Sequence, residues 1–383
     1  MTPSSMRIAL IAPLIAPLRE PQLGGVQTFL VDLARGLAGR GHDVTVFAAR
    51  GSRVDGVRVA GTGVDSTQLS ATRFHPGEQG GIRGARGAAV AAAGEAAAEA
   101  AFAATLALIG NDEPAYDLVH NHAFDIPAIR HAAQLTIPVL HTLHMPGEPG
   151  IGAALAAARG GAHPPLIAAI SDAQAASWRD LVAIDAVLRP GIPTAAIRWS
   201  PTPTSDRLLF AGRLSPEKGA MEAIAIARAA GRRLLLCGPA YDPQYVTRLQ
   251  EFLGDTAPNF PPGAVEVLPA LERRTLWLEM GRSAAVLCPA QWDEPFGLVA
   301  AEANACGTPV VGFRRGGLAE VVSDGVTGIL VAAGDVAEAA AGVGRADELS
   351  RQACRSHAER HLDLEATLDA HERVYRRAVG ERS

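Results

Sequence analysis

Short apolar runs alternate with longer amphipathic segments along most of the chain, and this alternation predicts a parallel α/β fold. The predicted strands of the first half are RIALIA, DVTVFAA, DLVHNH, IPVLHTLH and PLIAAIS. Those of the second half are RLLFAG, RRLLLCG, AVEVLP, AAVLCP, TPVVGF and GILV. The segment VQTFLVDLARGLAGRG carries its large apolar residues on one face, which predicts a helix. We therefore predict two halves of similar size, each a doubly wound sheet.

The alternation breaks at residues 189–206, where proline, serine and threonine collect in RPGIPTAAIRWSPTPTSD. This composition predicts a domain boundary, with one domain at 1–195 and a second at 196–365. A charged helical segment, 366–383, either caps the second domain or crosses back to the first. Alanine occupies 14 of the 26 positions of residues 84–109, and because alanine is the best helix former this segment predicts a packed helix rather than a flexible linker.

The overall composition excludes some classes of function. The 383 residues are 48 % hydrophobic, and a formal net charge of −5 argues against a nucleic-acid-binding protein. No apolar run reaches the 18 residues or so that a membrane helix needs, which leaves peripheral membrane contact open. Four widely spaced cysteines are typical of reduced core residues in a cytoplasmic protein rather than of a disulfide or metal framework. They are Cys237, Cys288, Cys306 and Cys354. The oligomeric state cannot be inferred from the sequence.

The stretch GRLSPEKG, residues 212–219, contains the only lysine among the 35 basic residues. Arg213 and Lys218 flank a turn that follows a predicted strand, and ligands of open α/β sheets sit at the carboxyl ends of strands. Two cations there suit a pyrophosphate, since arginine offers a planar fork and lysine a compact charge. The alternative is a solvated turn with a surface pair between Glu217 and Lys218.

A second candidate site lies in QWDEPFGLVAAEANACGTPVVGF, residues 291–313. The predicted helix begins near Gly297, and the first amides, at Gly297, Leu298 and Val299, lack intrahelical acceptors and form an anion pocket. Glu294 precedes this helix, and Glu302 lies among apolar residues within it. Burying a lone carboxylate is costly, so Glu302 needs a partner: either the hydroxyls of a ribose or a nearby arginine.

Five of the eleven histidines fall between residues 120 and 144, namely His120, His122, His131, His141 and His144. They are consistent with a metal site, with core or helix-capping residues, or with catalytic or sugar-contacting residues. The chain has no Asp-x-Asp pair, the simplest divalent-metal site for phosphates. It also lacks a G-x-G-x-x-G loop after its first strand, which disfavours a classical NAD or FAD site.

These motifs together resemble those of the family 4 retaining glycosyltransferases, which have the GT-B fold. EPFGLVAAE matches their E-x7-E motif, ACGTPVVGFRRGGLAEVVSDGVTGILV follows it, and GRLSPEKG and the Gly24–Gly25 turn lie upstream. The resemblance runs to about residue 335 and is strongest between 207 and 331. It implies two Rossmann-like doubly wound domains facing across a deep cleft, with the acceptor side in the first and the nucleotide-sugar donor in the second.

The resemblance also implies roles for individual residues. Arg213 and Lys218 would hold the donor diphosphate, Glu294 would contact the donor sugar, and Glu302 would bind the ribose. The implied catalytic residues are Glu294, His144, Arg213 and Lys218, with His122 on the acceptor side. The implied donor-binding residues are Gly25, Arg213, Lys218, Leu268, Glu294, Phe296, Gly297, Leu298, Val299 and Glu302.

The implied reaction transfers a hexose, with retention, from a nucleotide diphosphate sugar, a UDP-sugar in the first place, to a hydroxyl of a small molecule, lipid or glycan. No cofactor or metal is expected, because cations and helix amides would offset the diphosphate charge. The alternatives are a sugar-nucleotide epimerase of the same architecture and a non-catalytic sugar-nucleotide-binding protein. One departure from the family pattern, Arg189-Pro190-Gly191 in place of the usual Asn-Gly, bears on hinge geometry and on contacts near the acceptor rather than on donor binding.

Overall fold

The structure is a computed structural model that describes residues 5–63, 85–254 and 264–380. The chain divides into two compact units. The first contains the residues up to Arg19, residues 26–189 and those from Glu365 onward, and the second contains residues 20–25 and 190–364. The chain therefore passes from one unit to the other between Arg189 and Pro190. Arg189 itself is held within the first unit, where its guanidinium lies 2.6 Å from Asp172 and its carbonyl accepts a hydrogen bond from Thr367.

The described part of the first unit contains a seven-stranded parallel sheet with strand order β3-β2-β1-β4-β5-β6-β7. Its strands are Arg7–Ile11 (β1), Asp43–Ala48 (β2), Arg58–Gly61 (β3), Leu118–Asn121 (β4), Val139–Thr142 (β5), Leu166–Ala169 (β6) and Ala186–Val187 (β7). The predicted strands of this half are confirmed, whereas β3 and β7 were not predicted. β7 is only two residues long and β3 is partly exposed, so neither has a continuous apolar run.

In the described residues, five helices follow strands of the first sheet: Gly25–Gly39 (α1), Ala85–Gly110 (α2), Ile126–Ala132 (α3), Pro149–Arg159 (α4) and Asp172–Ser177 (α5). α1 buries the predicted apolar face, Phe29, Leu30, Leu33 and Leu37. The alanine-rich segment is a helix, as predicted. α2 buries Ala98, Phe102, Leu106 and Ile109 at helical spacing, which makes it a packed core element.

Residues 190–254 and 264–364 contain a six-stranded parallel sheet with strand order β10-β9-β8-β11-β12-β13. Its strands are Leu208–Ala211 (β8), Leu234–Cys237 (β9), Val265–Leu268 (β10), Ala285–Cys288 (β11), Val310–Phe313 (β12) and Gly328–Val331 (β13). All six were predicted. Most of these strands are buried on both faces, which explains why their sequences are continuous apolar runs.

Five helices connect consecutive described strands of the second sheet: Ala220–Ala229 (α6), Pro243–Gly254 (α7), Arg273–Arg282 (α8), Leu298–Ala305 (α9) and Leu318–Val321 (α10). Two more, Val336–Asp347 (α11) and Arg351–His361 (α12), follow β13. A last helix, Leu364–Ala378 (α13), packs against first-unit residues: Leu368 lies against Gly36, and Tyr375 contacts His120. Within the described chain, no helix combines the length and the apolar character that crossing a bilayer requires.

The four cysteines are free thiols, as predicted. Cys237, Cys306 and Cys354 are buried, whereas Cys288, at the end of β11, is partly exposed. Burial raises the pKa of each thiol well above its ordinary value, so they remain protonated at neutral pH.

We predict opposite effects for two glycine-to-alanine substitutions in the second unit. A Cβ on Gly238, just after β9, would lie 1.7 Å from the Gly212 carbonyl oxygen, so Gly238→Ala should destabilise the unit by about 3 kcal/mol or more. A Cβ on Gly281, in α8, would meet nothing within 4 Å, so Gly281→Ala should be neutral or stabilising by up to about 1 kcal/mol. Urea unfolding measures both, and wild-type stability in Gly238→Ala would contradict the close approach of the two backbones.

Candidate active site

The strand order of the second sheet brings two distant loops to one edge. β8 and β11 are hydrogen-bonded neighbours, although 73 residues lie between the last residue of β8, Ala211, and the first residue of β11, Ala285. From this pair, β9 and β10 extend the sheet to one side, and β12 and β13 extend it to the other. Open α/β sheets bind ligands at such a change of direction, beyond the carboxyl ends of the strands. The loop after β8 carries Arg213 and Lys218, and the loop after β11 carries Glu294. These predicted site residues therefore share the carboxyl edge.

Lys218 and Glu294 are in direct contact at this edge. The Lys218 Nζ donates to Glu294 Oε1 at 2.8 Å and to Oε2 at 2.7 Å, and the indole N–H of Trp292 donates to Oε2 at 3.0 Å. The ammonium also lies 5.3 Å from the centroid of the Trp292 ring. Burial alone would raise the pKa of Glu294, but the charge and hydrogen bonds of Lys218 and the bond from Trp292 hold it below its ordinary value. The carboxyl group is therefore ionised.

Arg213 is held by a buried carboxylate and an aromatic ring. Its Nη2 donates to Glu217 at 2.8 Å, and its guanidinium carbon lies 4.6 Å from the centroid of the Tyr241 ring. The Glu217 side chain is only 4 % exposed. The alternative interpretation, a surface pair between Glu217 and Lys218, is therefore wrong. Among the described residues, the buried Nε of Arg213 has no hydrogen-bond partner.

The helix α9 begins just after Glu294 in the sequence. Gly297 has φ 107°, a left-handed conformation that favours glycine, and it follows the buried Phe296. The amides of Ala300 and Ala301 both bond to the Gly297 carbonyl, so helical bonding begins after Leu298 and Val299. The amides of these two residues therefore have no acceptor within the helix, and the anion pocket that the sequence places at Gly297, Leu298 and Val299 stays a prediction.

Glu302, the fifth residue of α9, is 4 % exposed and already has hydrogen-bond partners. The Nε of Arg273 donates to its Oε1 at 2.6 Å, and the Trp277 indole donates to the same oxygen at 3.0 Å. The guanidinium of Arg273 also lies over the Trp277 ring, 4.7 Å from its centroid. The arginine partner that the sequence left as an alternative is therefore present, and the ribose contact stays a prediction.

Two other predicted donor residues lie near these groups in the second unit. Leu268 ends β10, and its carbonyl accepts a hydrogen bond from Gly238 at 3.2 Å. Gly25 is grouped with the second unit, where a Cβ on it would come within 3.9 Å of the Leu298 side chain. Neither position presents a charged side chain, so any contact to a ligand would come from the backbone or from shape.

The first unit brings its predicted histidines together. His122, just after β4, and His144, just after β5, are joined by a 2.9 Å hydrogen bond between Nδ1 and Nε2. The His122 ring also packs on that of His120, with centroids 3.9 Å apart. His371 of α13 lies against His120 and completes a group of four buried rings, three of which, those of His122, His144 and His371, also lie against Phe29. We call His120, His122, His144 and His371 the histidine cluster.

The loop that carries His144 is fixed from α5. Gln174 donates from Nε2 to the carbonyls of Leu143 and Met145, at 3.2 and 2.7 Å, and the Trp178 indole donates to Met145 at 3.0 Å. The backbone on both sides of His144 is thus held. His131, which the sequence grouped with these histidines, lies elsewhere, on α3, where it bonds Glu99 at 2.7 Å.

Two family models match consecutive parts of the chain. The model for Glycosyltransferase Family 4 matches residues 23–196, and the model for Glycosyl transferases group 1 matches residues 196–361. The two glycosyltransferase models together cover β2–β7 of the first sheet and all six strands of the second. The chain belongs to glycosyltransferase family 4.

Individual similarities agree with this assignment. A D-inositol 3-phosphate glycosyltransferase from Acidothermus cellulolyticus is 29 % identical, over 98 % of this chain and 91 % of the relative. Sucrose-phosphate synthase from Thermosynechococcus elongatus superposes with a TM-score of 0.74 at 21 % identity, over 98 % of this chain and all of that one. HepE from Anabaena, solved with UDP and glucose, superposes with a TM-score of 0.69 at 20 % identity, over 96 % of this chain and 99 % of that one. The structural neighbours show the fold, which is that of the GT-B glycosyltransferases.

Several residues of this family 4 glycosyltransferase that contact the candidate site were not predicted. Trp292 and Tyr241 contact the predicted cations, and Trp277 and Arg273 contact Glu302. Trp292, two residues before Glu294, could have been found from that proximity alone. The others come from distant elements, and nothing in their local sequence marks them. Among the described residues, no group of three His, Cys, Asp or Glu side chains is arranged to hold a metal ion.

All four members of the histidine cluster are neutral at physiological pH. Burial lowers the pKa of His144 to about 3 and that of His371 to about 4, and it lowers those of His120 and His122 well below the ordinary value, with help from neighbouring histidines. His141 beside the cluster is lowered to about 4 for the same reason. A neutral imidazole offers one donor and one acceptor, which suits contacts to hydroxyl groups.

This burial predicts that the first unit loses stability in mild acid. Because the histidine pKa values are lower in the folded than in the unfolded state, unfolding takes up protons below about pH 6.5, and stability should fall as the pH drops from there toward 4. Each of these histidines lowers the free energy of unfolding by up to about 1.4 kcal/mol for each pH unit of this fall. Asp125, whose burial raises its pKa to about 6, acts in the opposite sense, but it is one group against five.

Urea midpoints between pH 7.5 and 5 measure this dependence. His371→Leu removes one buried titrating group and should flatten the slope, whereas the exposed His163→Gln should leave it unchanged. A midpoint that does not change with pH in the wild-type protein would rule out the neutral buried histidines.

Proposed function

We propose that this glycosyltransferase transfers a hexose from a UDP-sugar to an acceptor hydroxyl, with retention of configuration and without a metal ion. The observation that carries the proposal is the Lys218–Glu294 contact beside Arg213 and the open start of α9. Family membership makes the chain a glycosyltransferase rather than an epimerase or a non-catalytic protein. The UDP and glucose bound by HepE support the donor class.

The two cations have hydrogen-bonding capacity left for a diphosphate. An ammonium has three N–H donors, and two of those on Lys218 go to Glu294, so one remains for a phosphate oxygen without breaking the pair. The Arg213 guanidinium uses Nη2 on Glu217, whereas its buried Nε–H has no partner among the described residues. An anion bound there would satisfy a buried donor that is costly to leave unpaired.

The remaining parts of the donor fit the neighbouring groups. The open amides of Leu298 and Val299 would complete the diphosphate site at the helix start. Both hydrogen bonds to Glu302 end at Oε1, which leaves Oε2 to accept from the ribose hydroxyls, each worth roughly 1.5–3 kcal/mol to a charged acceptor. The base would lie along the backbone near Leu268.

In this proposal, the bond between the anomeric carbon and the diphosphate oxygen breaks, and a bond from that carbon to the acceptor oxygen forms on the same face. Arg213, Lys218 and the helix amides stabilise the charge that develops on the diphosphate, which is electrostatic preorganisation. The acceptor proton passes to the departing diphosphate. His122 and His144 are neutral, so we assign them hydrogen bonds to sugar or acceptor hydroxyls rather than proton donation. Free thiols fit a reducing compartment such as the cytoplasm.

The most direct test measures release of nucleoside diphosphate from UDP-, GDP- and ADP-sugars, with and without acceptors. D-inositol 3-phosphate is the first acceptor to try, because a relative bears its name. We expect UDP release that an acceptor accelerates, a product with the anomeric configuration of the donor, and unchanged rates in EDTA. Activity that EDTA abolishes and manganese restores would contradict the metal-free proposal, and an inverted product would contradict retention.

We predict that Lys218→Ala weakens UDP binding at least about tenfold, because a charge-assisted hydrogen bond is worth roughly 1.5–3 kcal/mol. Isothermal titration calorimetry with UDP measures the affinity. Arg233→Ala is the matched control, since it removes a cation whose side chain is 63 % exposed and which pairs with Asp206. Equal affinity in Lys218→Ala and wild type would remove Lys218 from the diphosphate site.

A further inference from the structure

The last helix supplies two buried polar side chains to the histidine cluster. His371 and Tyr375, one turn apart on α13, are both completely buried. The Tyr375 hydroxyl lies 2.7 Å from Nδ1 of His120, and the other ring nitrogen of His120 lies 2.7 Å from the Thr142 hydroxyl. Both nitrogens of His120 are therefore held from opposite sides, which fixes the plane of its ring.

The fixed ring of His120 packs against the ring of His122. The two centroids are 3.9 Å apart with 42° between the ring planes, and Phe29 packs on His122 from 6.0 Å. His122 in turn bonds His144 at 2.9 Å. The contacts thus form a continuous chain of partners from Tyr375 through His120 and His122 to His144.

Within the described chain, His122 uses only one of its two ring nitrogens. Its Nδ1 is used by His144, whereas its buried Nε2 has no hydrogen-bond partner among the described residues. Whether Nε2 can meet a hydroxyl depends on the ring orientation, because a hydrogen bond weakens steeply when it is misaligned. The residues that hold the ring therefore matter as much as the ring itself.

α13 itself is anchored independently of the cluster. The Glu372 carboxylate lies 3.3 Å from both Arg40 and His42, and Asp369 lies 2.7 Å from Arg40. Leu368 packs directly over Gly36 of α1. These contacts fix the helix on the first unit, so loss of the Tyr375 hydroxyl should leave the helix in place.

We propose that Tyr375 is a positioning residue for the reaction, which acts through His120 to orient His122 and, through it, His144. The inference rests on the proposed function, in which His122 and His144 contact sugar or acceptor hydroxyls. Tyr375 is 255 residues from His120 in sequence. Its ring packs edge-on against His120, with centroids 5.5 Å apart, so the substitution Tyr375→Phe removes the hydrogen bond and keeps the packing.

Nuclear magnetic resonance of ¹⁵N-histidine-labelled protein tests the inference without a substrate. In Tyr375→Phe we expect the side-chain nitrogen signals of His120, His122 and His144 to shift or broaden as the rings gain freedom. Thr142→Val removes the opposite bond and should disturb the same signals. Because either bond alone is insufficient to fix the ring, the double variant should add little to either single variant. Unchanged His122 and His144 signals in both single variants would overturn the inference.

Kinetics separate a positioning role from a structural one. With UDP-glucose and D-inositol 3-phosphate as probes, Tyr375→Phe should lower the rate of UDP release about tenfold, since misplacement by about 1 Å can cost up to about 100-fold. Its UDP affinity should stay unchanged, because the proposed UDP contacts lie in the second unit. Tyr116→Phe is the matched control: Tyr116 is a buried first-unit tyrosine that packs on Phe47 and Arg7. It should lose no activity.

The outcomes distinguish this inference from the proposed function. If the histidine signals shift in Tyr375→Phe but His122→Ala and His144→Ala keep full transfer activity, the proposed role of the histidines fails. If His122→Ala abolishes transfer while Tyr375→Phe keeps wild-type rate and signals, only the positioning role fails.

Discussion

The contact between Lys218 and Glu294 depends on one feature of the fold, the pairing of β8 with β11. These strands are distant in sequence but adjacent in the sheet, and both are parallel, so the loops that follow them leave from the same edge. The pairing brings a cation from one loop within 2.7 Å of a carboxylate from the other. The glycine-initiated helix α9 then continues directly from the carboxylate.

The charges of this edge come in matched pairs. Lys218 is paired with Glu294, Arg213 with Glu217 and Arg273 with Glu302. Pairing offsets the cost of partial burial and holds each side chain in one geometry before any ligand arrives. The Lys218 ammonium bonds both oxygens of the Glu294 carboxylate and keeps a third N–H.

Features that depend on local sequence pattern could be predicted. The continuous apolar runs predicted the strands of the second sheet, and the loops after two of them contained Arg213, Lys218 and Glu294. The sequence could not predict β7, which is too short to leave a pattern, nor which partner Glu302 would have in the folded chain. Tyr375 was missed for a different reason. Its role is defined by a single contact to a residue 255 positions away, and its own helix resembles any charged amphipathic helix.

The two units differ in the kind of polar chemistry they offer. The second unit presents ionised side chains at a helix start, the environment that stabilises a diphosphate. The first presents imidazoles that burial keeps uncharged. An uncharged imidazole is a poor acid, and it discriminates instead by the direction of its hydrogen bonds, which requires a fixed ring. The buried hydroxyls of Thr142 and Tyr375 provide that constraint on His120 without introducing charge. The neutrality of the histidines and the rigidity of their surroundings are therefore two consequences of the same burial.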